Sequence, residues 1–257
     1  MRDPRRALVV RGGWEGHAPR ECTELFLPFL AAHGFTVEVH EDLAVYTDAE
    51  RMARVDLIVQ CWSMGTLTDA QADGLAAAVR AGAGLAGWHG GVVAAFDSRT
   101  YQHLTGGQFV YHPPGFVEHD LTVVPGREAH PVMAGIRRVR LRTEKYWVLT
   151  DPLCDVLATV TFPPDQPGDA GDDGATPWRR TVTMPAVWTR DWGAGRVFVS
   201  TVGHRPADLA IPEIRMLTER GMLWAARNRH ARMGGSSSAV RTARIRVSSS
   251  PSRSGRS

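Results

Sequence analysis

The chain has 257 residues, of which 43% are hydrophobic and 22% charged, a composition typical of a globular protein with a substantial core. No apolar run approaches the roughly 18 residues of a membrane-spanning helix, and three scattered cysteines exclude a disulfide scaffold and a cysteine zinc finger. The net charge of +3 arises at the C-terminus, because residues 236–257 hold five Arg and no acid, whereas residues 1–235 hold 25 basic and 27 acidic groups. We therefore expect one domain over residues 1–235, a disordered Ser/Arg-rich tail over residues 236–257, a cytoplasmic location, and neither a membrane nor a nucleic acid as partner.

The first half of the chain alternates predicted strands and helices. Four short apolar runs predict strands, at residues 7–11, 35–40, 55–60 and 84–88. Between the first two, Pro19 opens a predicted helix that ends at Gly34. Thr68 and Gln71 form a capping-box pattern ahead of another helix. Strands joined by helical crossovers predict a parallel, doubly wound sheet.

The second half is richer in predicted strands. Its elements are strands at residues 118–124 and 156–162, a β-hairpin made of residues 184–190 and 196–202, and a final amphipathic helix at residues 213–229. Residues 163–177 are rich in Pro, Gly and Asp. We interpret them as a loop that is either a lid or a simple insertion.

Histidines stand where several of these strands end. His17 follows the first strand, His89 the fourth and His204 the hairpin, each close to glycine. Because ligands of open parallel sheets bind at the carboxyl ends of the strands, and because imidazole both ligates metals and carries protons near neutral pH, we predict that these three rings surround one site. For His112 and His130, each of which precedes a proline, a structural role and a functional one remain equally open.

Seven ordered sequence blocks together resemble the ThuA-like (trehalose utilisation) family across about residues 7–227. These blocks are residues 11–17 (RGGWEGH), 87–91 (GWHGG), 106–113 (GGQFVYHP), 130–135 (HPVMAG), 185–188 (PAVW), 195–198 (GRVF) and 203–204 (GH). The resemblance implies the class I glutamine amidotransferase-like fold, a flavodoxin-like three-layer α/β sandwich with a mostly parallel sheet, to which a β-hairpin is added in the C-terminal half. A glutaminase of that superfamily has Cys at the sharp turn where this chain has His89, so we do not expect glutamine hydrolysis.

One motif departs from the family's pattern. The family shows Asp-Glu-Xaa-Tyr after its second His-Pro block, whereas this chain reads Thr143, Glu144, Lys145 and Tyr146. The carboxylate of Glu144 and the phenol of Tyr146 are retained, but the first acid is replaced by a hydroxyl. Glu144 is therefore a candidate for the site, and a surface ion pair with Lys145 or a neighbouring Arg is the alternative.

The resemblance implies sugar catabolism, in partnership with a dehydrogenase that oxidises disaccharides to 3-keto sugars. A ketone at C3 acidifies the hydrogen on C2, so a base can remove that proton and the C1 substituent can leave. The predicted catalytic residues are His17, His89, His204 and Glu144. The three histidines, together with Glu15 or Glu144, could also hold a divalent metal, zinc being one candidate. The predicted sugar contacts are Trp14, Glu15, Trp88, His112 and Tyr146.

Two other classes of function remain open at this stage. The chain could be a non-catalytic sugar-binding or regulatory domain, or an amidase or other hydrolase of the same superfamily that acts on a non-sugar substrate. An ordinary glycosidase is disfavoured, because no pair of Asp or Glu residues stands at the strand ends to serve as acid and nucleophile. A homo-oligomer is compatible with the sequence.

Overall fold

The structure is a computed structural model that describes residues 4–164 and 177–227. The strands of these residues are β1 (Arg5–Gly13), β2 (Phe35–His40), β3 (Leu57–Ser63), β4 (Gly84–Trp88), β5 (Gly107–Tyr111), β6 (Val117–Val123), β7 (Arg138–Thr143), β8 (Trp147–Thr150), β9 (Asp155–Phe162), β10 (Val182–Trp192) and β11 (Gly195–Ser200). The helices are α1 (Pro19–Glu24), α2 (Leu27–Ala32), α3 (Ala49–Arg54), α4 (Asp69–Arg80), α5 (Gly90–Val93), α6 (Arg99–Thr105), α7 (Pro206–Leu209) and α8 (Pro212–Ala225). Two short 3-10 helices lie at Glu15–His17 and Leu43–Thr47.

Nine strands form one large sheet in the order β2-β1-β3-β4-β11-β10-β9-β6-β7, and β5 pairs with β8 in a small separate sheet. The pairs from β2 to β11 are parallel. The pairs from β11 to β7 are antiparallel. Each antiparallel pairing reverses the strand direction. Two pairings separate β11 from β9, so β9 runs in the direction of β11, and two more pairings give β7 the same direction. The carboxyl end of β7 therefore faces the same edge as the carboxyl ends of β1, β4 and β11.

Helices cover both faces of the sheet because the central strands are apolar on both sides. On β1, Ala7 and Val9 belong to one buried cluster and Leu8 and Val10 to the other. The first cluster is completed by residues of α1, α2 and α8, and the second by residues of α3, α4 and α6. Strands buried on both faces are typical of parallel sheets between two helical layers. The chain thus has the α/β, flavodoxin-like sandwich fold that the resemblance implied.

Most predicted elements of the first half are confirmed. The four parallel strands are present, and β4 has the predicted bounds. The Thr68–Gln71 capping box is formed at the start of α4. The single helix predicted from Pro19 to Gly34 is wrong, because the chain forms α1 and α2 in its place. Pro28 lies in the first turn of α2, and a proline has no N–H with which to continue a preceding helix.

In the second half the hairpin of β10 and β11 is confirmed, and β6, β9 and α8 match the predictions within a few residues of their ends. The prediction did not include β5, β7 and β8. The proposed lid and the C-terminal tail lie outside the described residues, apart from the ends of the lid at residues 163–164 and 177. Within the described part of the chain, no helix is long and apolar enough to cross a membrane.

Candidate active site

Four side chains from distant parts of the chain meet at the carboxyl edge of the sheet. They are His17, His89, Glu144 and His204, and one ligand atom from each lies within 4.8 Å of those of the other three. His17 ends the 3-10 helix after β1, His89 follows β4, and His204 follows β11. Glu144 follows β7 and comes from the antiparallel half of the sheet. The structure thus brings together the four residues that the sequence analysis placed in the catalytic set.

Three atoms of this cluster form a tight triangle. The Nε2 atom of His89 lies 3.0 Å from Oε2 of Glu144 and 3.3 Å from Nδ1 of His204, and that Nδ1 lies 3.2 Å from the same Oε2. Zinc binds nitrogen and oxygen at about 2.0–2.1 Å, so two ligands of a tetrahedral ion stand about 3.3 Å apart. The spacing of the three atoms is therefore close to that of ligands around one small cation.

The backbone fixes which nitrogen of His89 faces the triangle. Its Nδ1 lies 2.9 Å from the carbonyl oxygen of Thr201, and because a carbonyl can only accept, Nδ1 must carry a proton. The neutral ring then directs a lone pair from Nε2 towards Glu144. Burial lowers the pKa of His89, although the nearby Glu144 carboxylate and the Thr201 carbonyl oppose this shift, so a second ring proton is disfavoured. A cation between the two atoms would remove the repulsion between their lone pairs.

His89 lies in a strained turn between strand and helix. Its backbone has φ of 49° and ψ of −144°, a left-handed conformation that residues other than glycine rarely adopt. The strain is sustained because the His89 N–H donates to the carbonyl of Ser200 on the adjacent strand. The sharp turn expected at residues 87–91 is thus present, with an imidazole at its tip.

His17 is held by a residue that the sequence analysis missed. Its Nδ1 forms a 2.7 Å hydrogen bond with the hydroxyl of Ser63, which is 1% exposed at the end of β3. Burial and then the nearby rings of His89 and His204 lower the pKa of His17 to about 3, so this ring is neutral at pH 7. The rule that had selected the histidines, a polar residue at the carboxyl end of a parallel strand, would also have found Ser63.

Glu144 is ionised in this setting. Burial alone would raise the pKa of its carboxyl, but the facing rings of His204 and His89 outweigh burial and lower it. The other carboxylate oxygen, Oε1, lies 3.9 Å from Nε2 of His112. The cluster therefore has one fixed negative charge, and nitrogen atoms of His89, His204 and His112 lie within 3.9 Å of it.

Two further residues line the cluster from the loop between β5 and β6. His112 is about one-third exposed, and its Nδ1 lies 2.7 Å from the carbonyl of Pro113. Phe116, which the sequence analysis did not select, lies with its ring 5.2 Å from that of His204. Residues 112–116 thus border the site on the side of Glu144 and His204.

Of the five predicted sugar contacts, Trp14 and His112 are accessible beside the cluster. The Trp14 indole is 48% exposed, and its ring centre lies 4.7 Å from that of His17. Tyr146 is 3% exposed and stacks on His89 at 4.0 Å, so it supports that ring and offers little surface to a sugar. Glu15 is exposed and is not among the residues whose ligand atoms converge.

The predicted contact between Trp88 and a sugar is wrong. The Trp88 side chain is 1% exposed and packs against Phe26 in the core, with ring centres 5.1 Å apart. Residues alternate between the two faces of a strand, and at position 88 this alternation turns the indole inwards. His130 also lies outside the cluster, with its ring 5.6 Å from that of Trp224.

The threonine that departs from the family's pattern has a defined partner. The Thr143 hydroxyl donates to Oδ2 of Asp208 at 2.7 Å, and both side chains are buried. Asp208 also accepts from the backbone N–H of Arg205, at 3.1 Å. This contact connects the end of β7, directly before Glu144, to α7, which follows His204.

The three cysteines have thiols that are hard to ionise. Cys61 is 2% exposed, and burial raises the pKa of its thiol well above the usual range. Burial also raises the pKa of Cys154 and that of Cys22, to about 12. A thiol that stays protonated at neutral pH is a poor nucleophile.

Comparison with known proteins places the chain in a family. The model of the trehalose utilisation family, ThuA, matches residues 6–225. A ThuA-like protein from Bacteroides uniformis is 17% identical, and the match covers 88% of this chain and 93% of that chain with a TM-score of 0.66. One from Parabacteroides merdae is 18% identical, with 87% and 90% covered and a TM-score of 0.63. A cytoplasmic protein from Salmonella typhimurium is 11% identical, with 87% and 100% covered and a TM-score of 0.56.

These structural similarities, all below 25% identity, establish the fold, and no curated protein sequence matches the chain. The family match extends from β1 into the last turn of α8, and so includes all four residues of the histidine–glutamate cluster. The chain belongs to the ThuA, or trehalose utilisation, family.

Proposed function

We propose that this trehalose-utilisation protein is a carbohydrate-catabolic enzyme that cleaves 3-keto-glycosides, keto-disaccharides included, by removing the proton at C2. The observation that carries the proposal is the convergence of His17, His89, His204 and Glu144 in one buried cluster at the ligand-binding edge of the sheet. Such a set serves proton transfer and charge stabilisation next to a carbonyl. A binding domain for neutral sugars has no need of four titratable groups in contact.

The donor set fits a divalent cation. Nε2 of His89, Nδ1 of His204 and Oε2 of Glu144 would be its ligands, and His17 would provide a fourth ligand through the nitrogen that Ser63 does not occupy. Three imidazoles and one carboxylate suit zinc. When bound, the cation would supply Lewis-acid stabilisation of the negative charge that develops on the ketone oxygen.

His112 is the group best placed to take the proton from C2. Its Nδ1 must donate to the carbonyl of Pro113, so a neutral ring has its lone pair on Nε2. This atom lies 3.9 Å from Oε1 of Glu144, and the His112 side chain is about one-third exposed, whereas the other three rings are buried within the cluster. The C2–H proton passes to Nε2, and the electron pair of that bond forms the C1=C2 double bond as the C1–O bond breaks. The leaving oxygen takes up a proton from solvent, His112 returns its proton to solvent, and water then adds across the C1=C2 bond of the unsaturated keto sugar. Oε1 of Glu144 stabilises the protonated ring.

The remaining contacts orient these groups. Thr201 and Tyr146 fix the ring of His89 from its edge and its face, and Ser63 fixes His17. The exposed indole of Trp14 offers a flat apolar face to the C–H side of a pyranose. In this proposal a dehydrogenase that oxidises C3 of the glycoside supplies the substrate, and both enzymes work in the cytoplasm.

The test is turnover of 3-keto-trehalose, followed together with deuterium exchange at C2 in heavy water. We expect wild-type protein to release glucose and to catalyse exchange. His112→Gln should lose both activities by at least about 100-fold, the usual contribution of a general base, and should keep its metal content. Added imidazole should restore part of its exchange activity.

The variants His89→Ala and Glu144→Gln should lose bound metal, measured by elemental analysis, as well as turnover. His33→Ala alters an exposed ring outside the cluster and is the matched control. Full turnover in His89→Ala would contradict the proposal. If calorimetry shows sugar binding while neither exchange nor cleavage occurs, the chain is a sugar-binding protein. Cleavage of an amide panel in place of keto-sugars would favour a hydrolase of another kind.

A further inference from the structure

A cationic side chain beside the histidine–glutamate cluster has no role in the proposed function. Arg205 directly follows His204, and its guanidinium carbon lies 4.0 Å from the centre of the Phe116 ring. The centre of the same phenyl ring lies 5.2 Å from that of the His204 imidazole. A single phenyl ring thus connects the guanidinium of Arg205 with a histidine of the cluster.

Contacts at one nitrogen hold the Arg205 guanidinium in place. Its Nη2 atom donates to Oδ1 of Asp208 at 3.3 Å and lies 3.5 Å from the carbonyl oxygen of Arg142. Asp208 is itself buried and also accepts from the hydroxyl of Thr143. The guanidinium is therefore fixed against Phe116 before any ligand arrives. A ligand that binds a group already held in position does not have to order it first, which favours binding.

A second nitrogen of the guanidinium is left for a ligand. The Arg205 side chain is 41% exposed. Among the described residues, Nη1 has no hydrogen-bond partner. It is also absent from the buried nitrogen atoms that lack a partner, a set to which Nε belongs, so solvent reaches Nη1. Arg205 thus offers the two N–H groups of Nη1 from a position next to Phe116 and His204.

Positive charge exceeds negative charge around Arg205. Arg142, whose carbonyl contacts Arg205, is exposed and forms no ion pair within the part of the chain that the structure describes. Its cross-strand neighbour Glu118 is paired with Arg140 at 2.7 Å. The carboxylate of Asp208 balances the charge of Arg205, and that of Arg142 is left over. An anion is therefore attracted to this side of the site.

We infer that Arg205 binds a negatively charged group of the substrate, either a carboxylate or a phosphate, and that the enzyme prefers acidic keto-glycosides to neutral ones. A guanidinium is permanently charged, and its N–H groups suit the oxygen atoms of both groups. The divalent cation of the proposed function would offset the charge of Glu144, so that an acidic substrate is not repelled there. The inference rests on the proposed function and specifies its substrate class.

The experiment compares methyl 3-keto-glucoside with three charged relatives. Two of them carry the charge at C6, as a phosphate ester and as a uronate, and the third is the carboxymethyl glycoside, which carries it on the leaving group. We expect kcat/KM for at least one acidic substrate to exceed that for the neutral one by at least about tenfold, the usual worth of a hydrogen bond to a charged group. The preferred substrate identifies the charged group and its position.

The variant Arg205→Gln should bring this ratio of kcat/KM values to about one. Because both substrates are measured on the same protein, a general loss of stability or activity cancels in the ratio. Arg215→Gln is the matched control and should keep the wild-type ratio. Arg215 is 44% exposed, donates to Glu219 at 2.9 Å and lies 3.4 Å from a backbone carbonyl, that of Leu25, so it resembles Arg205 in exposure and contacts.

The outcomes separate this inference from the proposed function. If the neutral glycoside is cleaved at least as fast as every acidic one, or if Arg205→Gln keeps the wild-type ratio, the acidic substrate is wrong while the proposed function stands. If neither these glycosides nor 3-keto-trehalose is cleaved, the proposed function fails, and calorimetric binding of glucuronate and glucose 6-phosphate decides on Arg205. Several-fold weaker binding of either compound by Arg205→Gln than by wild type would support the inference. Equal binding by the two proteins, or no binding by wild type, would overturn it.

Discussion

The ring of His17 can reach the cluster because the residue beneath it has no side chain. A Cβ built on Gly90 would collide with Cε1 and Nδ1 of His17. These atoms lie on the side of the ring that binds Ser63. The glycine following His89 therefore makes room for a second histidine.

Replacing Gly90 with Ala should push the His17 ring away and weaken its hydrogen bond with Ser63. We expect a loss of about 1–3 kcal/mol in the free energy of unfolding, the usual cost of overpacking, measured by urea denaturation. In a His17→Ala background the collision partner is absent, so the same substitution should cost much less there. Equal costs in the two backgrounds would show that Gly90 is required for some other reason.

The sequence was informative at this scale for residues whose surroundings are local. His17, His89 and His204 could be selected because each comes within four residues of the end of a strand of the parallel half, and a parallel sheet gathers such ends at one edge. Trp88 was assigned wrongly, because adjacency to His89 in the chain does not reveal which face of the strand its side chain occupies. That face is decided by the packing of Phe26 from α1–α2, a tertiary contact.

At the scale of elements, the antiparallel half of the sheet determines the position of Glu144. Four reversals from β11 through β10, β9 and β6 return β7 to the direction of the parallel strands, which places its carboxyl end at the site edge. Pairing between strands that are far apart in the chain leaves no local pattern in the sequence. The resemblance to the family therefore identified the Glu144 carboxylate as a candidate, but the sequence could not predict its contact with His89. The same limitation explains why β5, β7 and β8 were missed.

The contact between Thr143 and Asp208 secures this element against α7. Thr143→Val keeps the shape of the side chain but removes its hydroxyl donor. The buried carboxylate of Asp208 then has one hydrogen-bond partner fewer. We expect a loss of about 1–3 kcal/mol in the free energy of unfolding, together with weaker metal binding, because Glu144 and His204 lie on the two segments that the contact joins. Thr143→Ser should restore most of both quantities.

Thr122→Val, at an exposed threonine of β6, is the control for the same chemical change on a strand surface and should alter stability by no more than about 0.5 kcal/mol. Unfolding curves and a zinc titration of the three variants check the prediction. If Thr143→Val is as stable as wild type and binds zinc equally well, the hydroxyl does not hold the two segments together.

At the scale of the whole molecule, gathering several neutral imidazoles in one buried place makes folding sensitive to acid. Burial, followed by the nearby rings, lowers the pKa of His17 from 6.5 to about 3 in the folded chain, and burial also lowers that of His89. The unfolded chain binds these protons at a higher pH than the folded chain does. The stabilisation is therefore fully present above pH 6.5 and is lost as the pH falls from 6.5 towards 3.

We expect the free energy of unfolding of metal-free protein to fall steadily between pH 7.5 and pH 5, and the fall to be shallower in His17→Asn. This window lies above 4.5, the ordinary pKa of a glutamate, so the lowered pKa of Glu144, which has the same sign of effect, contributes little to it. Urea unfolding at half-unit pH steps, with a chelator present, provides the measurement. The variant His33→Gln controls for the loss of a histidine outside the cluster. An identical pH slope in wild type and His17→Asn would mean that the His17 ring binds its proton at the same pH in the folded and the unfolded chain, which would contradict the lowered pKa of this ring.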